Sequence, residues 1–227
     1  MKAISCREII KSFGEPPLVI LKSLSFDIEY GEFVGVTGRS GSGKSTLLYS
    51  VSGLDKINSG TVHISGKDVH SMGEKETHEF RNRKFGFVFQ FHYLLPEISA
   101  LENILMPARK IREEKNRRKK AVEFMEEFEI SHCRNKLPSQ MSGGEMQRTA
   151  IARSLIMEPE FLFADEPTGN LDTENGEKVM NILKRVNTSY GTTILMVTHE
   201  PDFAAMASRQ IHLIDGTIDY DSSGRKK

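Results

Sequence analysis

The chain has 227 residues, and Lys plus Arg and Asp plus Glu each total 31, so its formal net charge is zero. That balance argues against the broad basic footprint of a nucleic-acid binder, and 38% hydrophobic with 27% charged residues is an ordinary globular composition. Cys6 and Cys133 are too few and too scattered for a disulfide framework or a zinc site.

No run approaches the ~20 apolar residues that cross a bilayer, so any membrane role is expected to come through a partner. The opening Met1-Lys2-Ala3-Ile4-Ser5-Cys6 ends like a lipid-attachment box. Arg7 and Glu8 follow it and no apolar region precedes it, so no signal peptide is expected.

In chain order, Leu24, Phe26 and Ile28 alternate with polar residues, and Tyr30-Gly31-Glu32 reads as the turn into the next strand. Phe33-Val34-Gly35-Val36 has the unbroken apolar character of a strand buried on both faces. A glycine-rich loop and the helical pattern Ser45-Thr46-Leu47-Leu48-Tyr49-Ser50-Val51 follow. Residues 61–64 and 85–89 read as further strands. From about Leu101 to Met157 the pattern is helical, with apolar stripes at Ala121, Phe124, Met125 and Phe128 and at Met146, Ala150, Ile151 and Leu155. Residues 161–164 and 193–197 are late buried strands, and Val179, Ile182, Leu183 and Val186 mark a helix between them. Apolar strands alternating with helices predict an α/β fold with a mainly parallel sheet. The central helices read as an inserted subdomain, and a polar tail is expected from about Asp221.

Gly38-Arg39-Ser40-Gly41-Ser42-Gly43-Lys44-Ser45-Thr46 satisfies the P-loop pattern between a strand and a helix. Its glycines let successive backbone N–H groups turn toward phosphates, and the following helix adds its positive end. Lys44 is the residue to reach the β- and γ-phosphates, and Ser45 the hydroxyl for Mg²⁺. Phe161-Leu162-Phe163-Ala164-Asp165-Glu166 places two carboxylates at the end of a buried strand, where ligands bind in open α/β sheets. Asp165 is expected in the Mg²⁺ shell and Glu166 is expected to polarise an attacking water. Met141-Ser142-Gly143-Gly144-Glu145 opens another helix with exposed N–H groups, either a second anion site or a simple serine cap.

Together these motifs resemble ATP-binding-cassette (ABC) ATPases, and the last is similar to their signature motif. Further marks fall in the family's order: Gln90 resembles the Q-loop glutamine, Gly169-Asn170-Leu171-Asp172 the D-loop, and His199 the switch histidine. Phe13 stands where the family places an aromatic that stacks on adenine. The resemblance runs from Phe13 to Gly216. It implies one cassette over residues 1–227: a β subdomain and P-loop core to residue 90, a helical subdomain over 91–158, and a closing core over 159–220.

The resemblance also implies ATP and Mg²⁺ as ligands. Lys44, Gln90, Glu166 and His199 would be catalytic, and Ser45, Gln90 and Asp165 would hold the metal. Two copies would pair head to tail, each ATP lying between one P-loop and the other copy's Ser142, Gly143 and Gly144, with Asp172 nearby. Departures are mild: Met141 replaces the usual Leu, Glu145 the usual Gln, and Phe13 the commoner Tyr.

Pro167-Thr168-Gly169-Asn170-Leu171-Asp172 is similar to the branch holding lipoprotein-release, macrolide-efflux and cell-division ATPases. Gln90-Phe91-His92-Tyr93-Leu94-Leu95-Pro96, with Ala100-Leu101-Glu102-Asn103 and Met106-Pro107, most resembles the lipoprotein-releasing members. Macrolide efflux and division mechanotransmission stay as alternatives. The resemblance implies membrane permease subunits gripped at residues 90–96 and a place on the cytoplasmic face of a bacterial inner membrane.

Two rival classes carry less. DNA-repair and translation ABC ATPases bring a second cassette or a long coiled coil, and a non-hydrolysing adaptor is at odds with Glu166 and His199. The basic run from Arg109 to Lys120 is interleaved with Glu113 and Glu114 and reads as a solvated helix face. His63, His70, His78, His132 and His212 lack ligand-like spacing and are assigned no role.

Overall fold

The computed structural model describes residues 2–223; the first residue of the lipid-box-like opening and residues 224–227 of the expected tail lie outside them. In chain order the elements are β1 (Lys2–Phe13), β2 (Leu18–Glu29), β3 (Phe33–Gly38), α1 (Lys44–Val51), β4 (Ser59–Ile64), β5 (Lys67–Asp68), α2 (Glu74–Lys84) and β6 (Phe85–Phe89). There follow α3 (Ala100–Lys110), α4 (Glu114–Glu127), α5 (Gly143–Leu155), β7 (Phe161–Asp165), α6 (Thr173–Tyr190), β8 (Thr193–Val197), α7 (Pro201–Ala204), β9 (Arg209–Ile214) and β10 (Thr217–Asp221).

The strands form an antiparallel sheet ordered β2-β1-β4-β5 and a second sheet ordered β10-β9-β3-β8-β7-β6. In the second sheet only the β9–β10 pairing is antiparallel. Every residue of β7 and β8 is buried, as their unbroken apolar runs require when both faces are covered. One core lies where Leu24, Phe26 and Ile28 of β2 meet Val34, Val36 and the buried side of α1. The other packs the opposite face of the parallel sheet against α3, α4, α5 and α6, through residues such as Ile104, Phe124, Ile151 and Leu183. The structure is thus an α/β fold with an N-terminal antiparallel sheet, a mostly parallel second sheet and an inserted helical layer.

Three elements have little signal in the sequence. Helix α2 has no buried residue and so no apolar stripe; it is held by the Lys67–Glu76 ion pair, by Arg81 donating to the Gly53 carbonyl, and by Phe80 set edge-on to Phe85. Strands β9 and β10 close the sheet. Asp221, read above as the start of the tail, is the last residue of β10: its carboxylate accepts from Arg209 Nε at 2.8 Å and Nη2 at 2.6 Å. Arg209 Nη1 also donates to Glu32 Oε2 and to the Asp27 carbonyl. Sequence alone shows an acidic residue entering a polar stretch; only the strand pairing shows that it neutralises a buried arginine.

Candidate nucleotide site

Strand β3 ends at Gly38 and α1 begins at Lys44, so the loop between them turns at the C-terminal edge of the parallel sheet. Glycine is needed at both ends of the turn. Gly38 has φ 143° and a Cβ there would overlap the Leu213 carbonyl; Gly43 has φ 99° and a Cβ would press on Leu21 and Ile20 of β2. Gly43 caps α1 with no side-chain hydrogen bond, which leaves the first amides of the helix open to an anion. Ser42 Oγ is buried without a partner. Lys44 is buried and its Nζ donates to the carbonyls of Gly38 at 2.9 Å and Arg39 at 3.1 Å. Arg39, Ser40 and Gly41 are exposed, and Ser45 and Thr46 half-buried. A buried orphan hydroxyl, an uncapped helix start and an ammonium on one loop fit a polyphosphate.

Asp165 closes β7, in register with Phe89 of β6 and Val197 of β8. Its Oδ1 accepts from Ser45 Oγ at 2.8 Å and its Oδ2 from Tyr49 Oη at 2.6 Å. Hydroxyl and carboxylate oxygens converging beside a phosphate loop are the hard donors that Mg²⁺ takes. Glu166 has φ 47°, in the left-handed region, and its N–H bonds the Val197 carbonyl. That backbone turn brings its Oε2 to 2.8 Å from His199 Nδ1. His199 lines a cavity of about 430 Å³ together with Gly38, Arg39 and Ser40 of the loop.

Gln90 follows the residue paired with Asp165, yet its amide is engaged elsewhere: Nε2 donates to Asn170 Oδ1 at 3.3 Å and its carbonyl accepts from Asn170 Nδ2 at 3.1 Å. Among the described residues no hydrogen bond links Gln90 to Ser45 or Asp165. Phe13 sits at the end of β1, 46% exposed, with Lys11 Nζ 4.4 Å from the ring centroid on one face.

Ser142 is the N-cap of α5 in a reciprocal box. Its side chain accepts from the Glu145 N–H and the Glu145 carboxylate accepts from the Ser142 N–H at 2.7 Å. That amide bond, with contributions from His132 and Cys133, lowers the Glu145 pKa to about 2. So the serine does act as a cap, and His132, given no role above, lies 2.5 Å from Glu145.

Gly144 lies against α6, where a Cβ would overlap Asn175 Oδ1. Asn175 is itself bound to the Asp172 carboxylate and accepts from Arg148 Nη1. Gln147 reaches across from the same helix to the carbonyls of Phe89 and Pro167. Among the described residues no hydrogen bond or ion pair joins residues 142–145 to the phosphate loop. Within one chain, residues 142–145 thus stand apart from the phosphate loop, and their helix start is closed by the Ser142–Glu145 box.

The "ABC transporter" family model matches residues 21–169. The chain belongs to the ABC transporter family. It is 53% identical over 215 residues to the lipoprotein-releasing system ATP-binding protein LolD of Leptospira interrogans, covering 95% of this chain and 90% of that protein. It is 45% identical over 219 residues to LolD of Aquifex aeolicus, covering 96% and 95%. Among solved structures it is similar to the dimeric bacterial ABC transporter cassette MJ0796, with TM-score 0.88 and 38% identity over 96% of this chain and 97% of that one. A dimeric post-hydrolysis state of the same cassette, bound to ADP and Pi, superposes with TM-score 0.86 at 36% identity and the same coverage.

In this ABC cassette the segment after Gln90 is a displayed one. Phe91 and Tyr93 are 63% and 65% exposed. The backbone beneath them is clamped from α5, where Arg153 donates to the carbonyls of His92 at 2.7 Å and Tyr93 at 2.5 Å. Asn103, fully buried on α3, accepts from the Leu95 N–H at 2.7 Å and donates to the carbonyls of Leu95, Ile98 and Ser99. A polar residue flanked by the buried Leu101, Ile104 and Leu105 was the available signal for that bracket. Tyr49, four residues after Ser45, had the right helical spacing to share its partner. Arg153 and Asn175 gave no comparable sign.

Asn103→Ala removes the side-chain partner of the Leu95 N–H and of the Ile98 carbonyl, so it is expected to cost about 1–3 kcal/mol. Chemical denaturation should show that loss, and hydrogen exchange should rise most at residues 95–99.

Proposed function

We propose that this chain is the ATP-hydrolysing subunit of an ABC complex that releases lipoproteins from the bacterial inner membrane. The observation that carries the hydrolase reading is the Glu166–His199 contact at 2.8 Å beside the phosphate loop. The full-length similarity to proteins named LolD supports the lipoprotein assignment.

Lys44, the loop amides and Ser42 bind the β- and γ-phosphates, and Phe13 offers its free ring face to adenine. Ser45, Asp165 and Gln90 would hold Mg²⁺, which would supply charge that offsets the negative charge developing on the phosphoryl oxygens. Glu166 orients the attacking water and takes its proton. His199 fixes the Glu166 carboxylate and would donate toward the γ-phosphate.

The signature residues act on a second copy of the chain. Across a head-to-tail homodimer, the partner subunit's Ser142, Gly143 and Gly144 complete the phosphate site, with Asp172 at the same seam. Dimeric relatives and the separation of residues 142–145 from the phosphate loop within one chain support this arrangement. Residues 90–96 grip permease subunits, and the chain binds the cytoplasmic face of the inner membrane peripherally; no described helix is long and apolar enough to cross a membrane. Each CH₂ drawn out of a bilayer costs about 0.8 kcal/mol, so extracting acyl chains calls for a motor.

The test is affinity purification of the Glu166→Gln chain from native membranes with Mg-ATP. Membrane subunits arriving with lipidated proteins support the proposal. Partners belonging to an efflux duct or to the division machinery overturn the lipoprotein reading.

A further inference from the structure

The Asp165 carboxylate has both oxygens occupied, and only one of its two partners belongs to the phosphate loop. Ser45 Oγ donates to Oδ1 at 2.8 Å; Tyr49 Oη donates to Oδ2 at 2.6 Å. The two donors are four residues apart on α1, hence on one helix face. Each carboxylate oxygen therefore has its own donor, which restricts rotation of the group. We infer that Tyr49 is a positioning residue for the metal site: it pins Asp165 so that Oδ1, beside Ser45, is the oxygen presented to Mg²⁺. This rests on the reading of Ser45 and Asp165 as the metal-holding pair.

Several features agree with that role. Asp165 is only 8% exposed, so solvent offers little to replace a lost partner of Oδ2. Tyr49 makes the shorter of the two bonds, 2.6 Å to Oδ2 against 2.8 Å from Ser45 to Oδ1, so Oδ2 is the more firmly held oxygen. Mg²⁺ demands near-ideal octahedral geometry, and a fixed single-oxygen ligand suits it better than a carboxylate free to rotate.

Tyr49 also faces a second element. Its ring lies 6.4 Å from that of Phe89, the residue in register with Asp165 and directly before Gln90, and Phe89 in turn meets Tyr93 edge-on at 5.4 Å. The side chain that fixes the metal carboxylate therefore packs on the strand end that leads into the displayed segment. Replacing only the hydroxyl separates the two contacts, because phenylalanine keeps the ring against Phe89 and removes the bond to Asp165.

The experiment is a Mg²⁺ titration of nucleotide binding, followed by anisotropy of a fluorescent ADP analogue on the full chain. The parent, Tyr49→Phe and Asp165→Asn are compared, each also in EDTA without metal. For Tyr49→Phe the Mg²⁺ midpoint should rise about 3- to 10-fold, with metal-free affinity unchanged. A merely structural role for Tyr49 would weaken binding equally with and without metal, and that result overturns the inference. An unchanged Mg²⁺ midpoint in Tyr49→Phe, with Asp165→Asn strongly shifted, also overturns it while leaving the metal pair intact. If Asp165→Asn itself leaves the midpoint unmoved, the underlying assignment of the metal site fails instead.

Discussion

Glu166→Gln lowers the maximal rate of ATP hydrolysis by about 10²–10⁴-fold, the range by which a positioned base accelerates proton transfer, and leaves nucleotide affinity close to that of the parent. The amide keeps the shape of the side chain and can still meet His199 Nδ1, now 2.8 Å from the carboxylate. The left-handed backbone at 166, φ 47°, is as costly for glutamine as for glutamate, so the substitution adds no new strain. What disappears is an oxygen able to take a proton from water. Steady-state phosphate release at saturating Mg-ATP reads the turnover, and a fluorescent nucleotide reads the binding. A variant that retains more than about a tenth of parental turnover would mean that another group serves as base.

The second large effect is expected at Gly144, and it is steric. A Cβ there overlaps Asn175 Oδ1 and approaches Asn175 Cβ to 3.1 Å. Asn175 cannot swing away cheaply: its backbone N–H bonds the Asp172 carboxylate at 2.8 Å, its side-chain amide bonds the same group, and its Oδ1 accepts from Arg148. Arg148 is buried, and its Nε already lacks a partner, so a displaced Asn175 leaves a guanidinium still less satisfied.

Gly144→Ala should therefore destabilise the chain by the ~1–3 kcal/mol typical of overpacking, a drop in melting temperature of about 2–4 °C per kcal/mol for a chain of this size. It should also shift the start of the signature helix and abolish ATP-dependent dimerisation in a Glu166→Gln background, as read by light scattering. Gly143→Ala is the internal control for stability, since its Cβ would meet only Leu171 Cδ2 at 3.7 Å. If both variants melt with the parent, the packing of α5 on α6 is looser than the contact implies.

Much of the site was legible because its chemistry is carried by contiguous residues. The phosphate loop is a local object: a strand, a run of glycines and a helix start suffice to orient its amides, and the lysine and serine follow at fixed offsets. The two carboxylates after Phe161-Leu162-Phe163-Ala164 were equally plain, because a run buried on both faces must be a central strand and its polar end must emerge at the sheet edge. The long central helical stretch was visible from its stripes, though not its division into α3, α4 and α5 with two short 3₁₀ turns at Ser131–Cys133 and Pro138–Gln140. Helix α2 escaped because a helix without a buried face leaves no periodic mark.

The class of fold, the phosphate loop and the acidic pair can be read along the chain, because each depends on neighbouring residues or on the strict periodicity of burial. Which groups meet across the chain depends instead on how strands and helices pack. His199 finds Glu166 because β7 and β8 lie side by side, and Gln90 finds Asn170 because both follow adjacent strand ends. Tyr49 finds Asp165 across 116 positions of sequence, and Asn103 turns back to bracket the displayed loop. These are partnerships of single side chains, set by sheet order and helix packing, and a hydrogen bond between distant residues has no periodicity through which it could announce itself in a sequence.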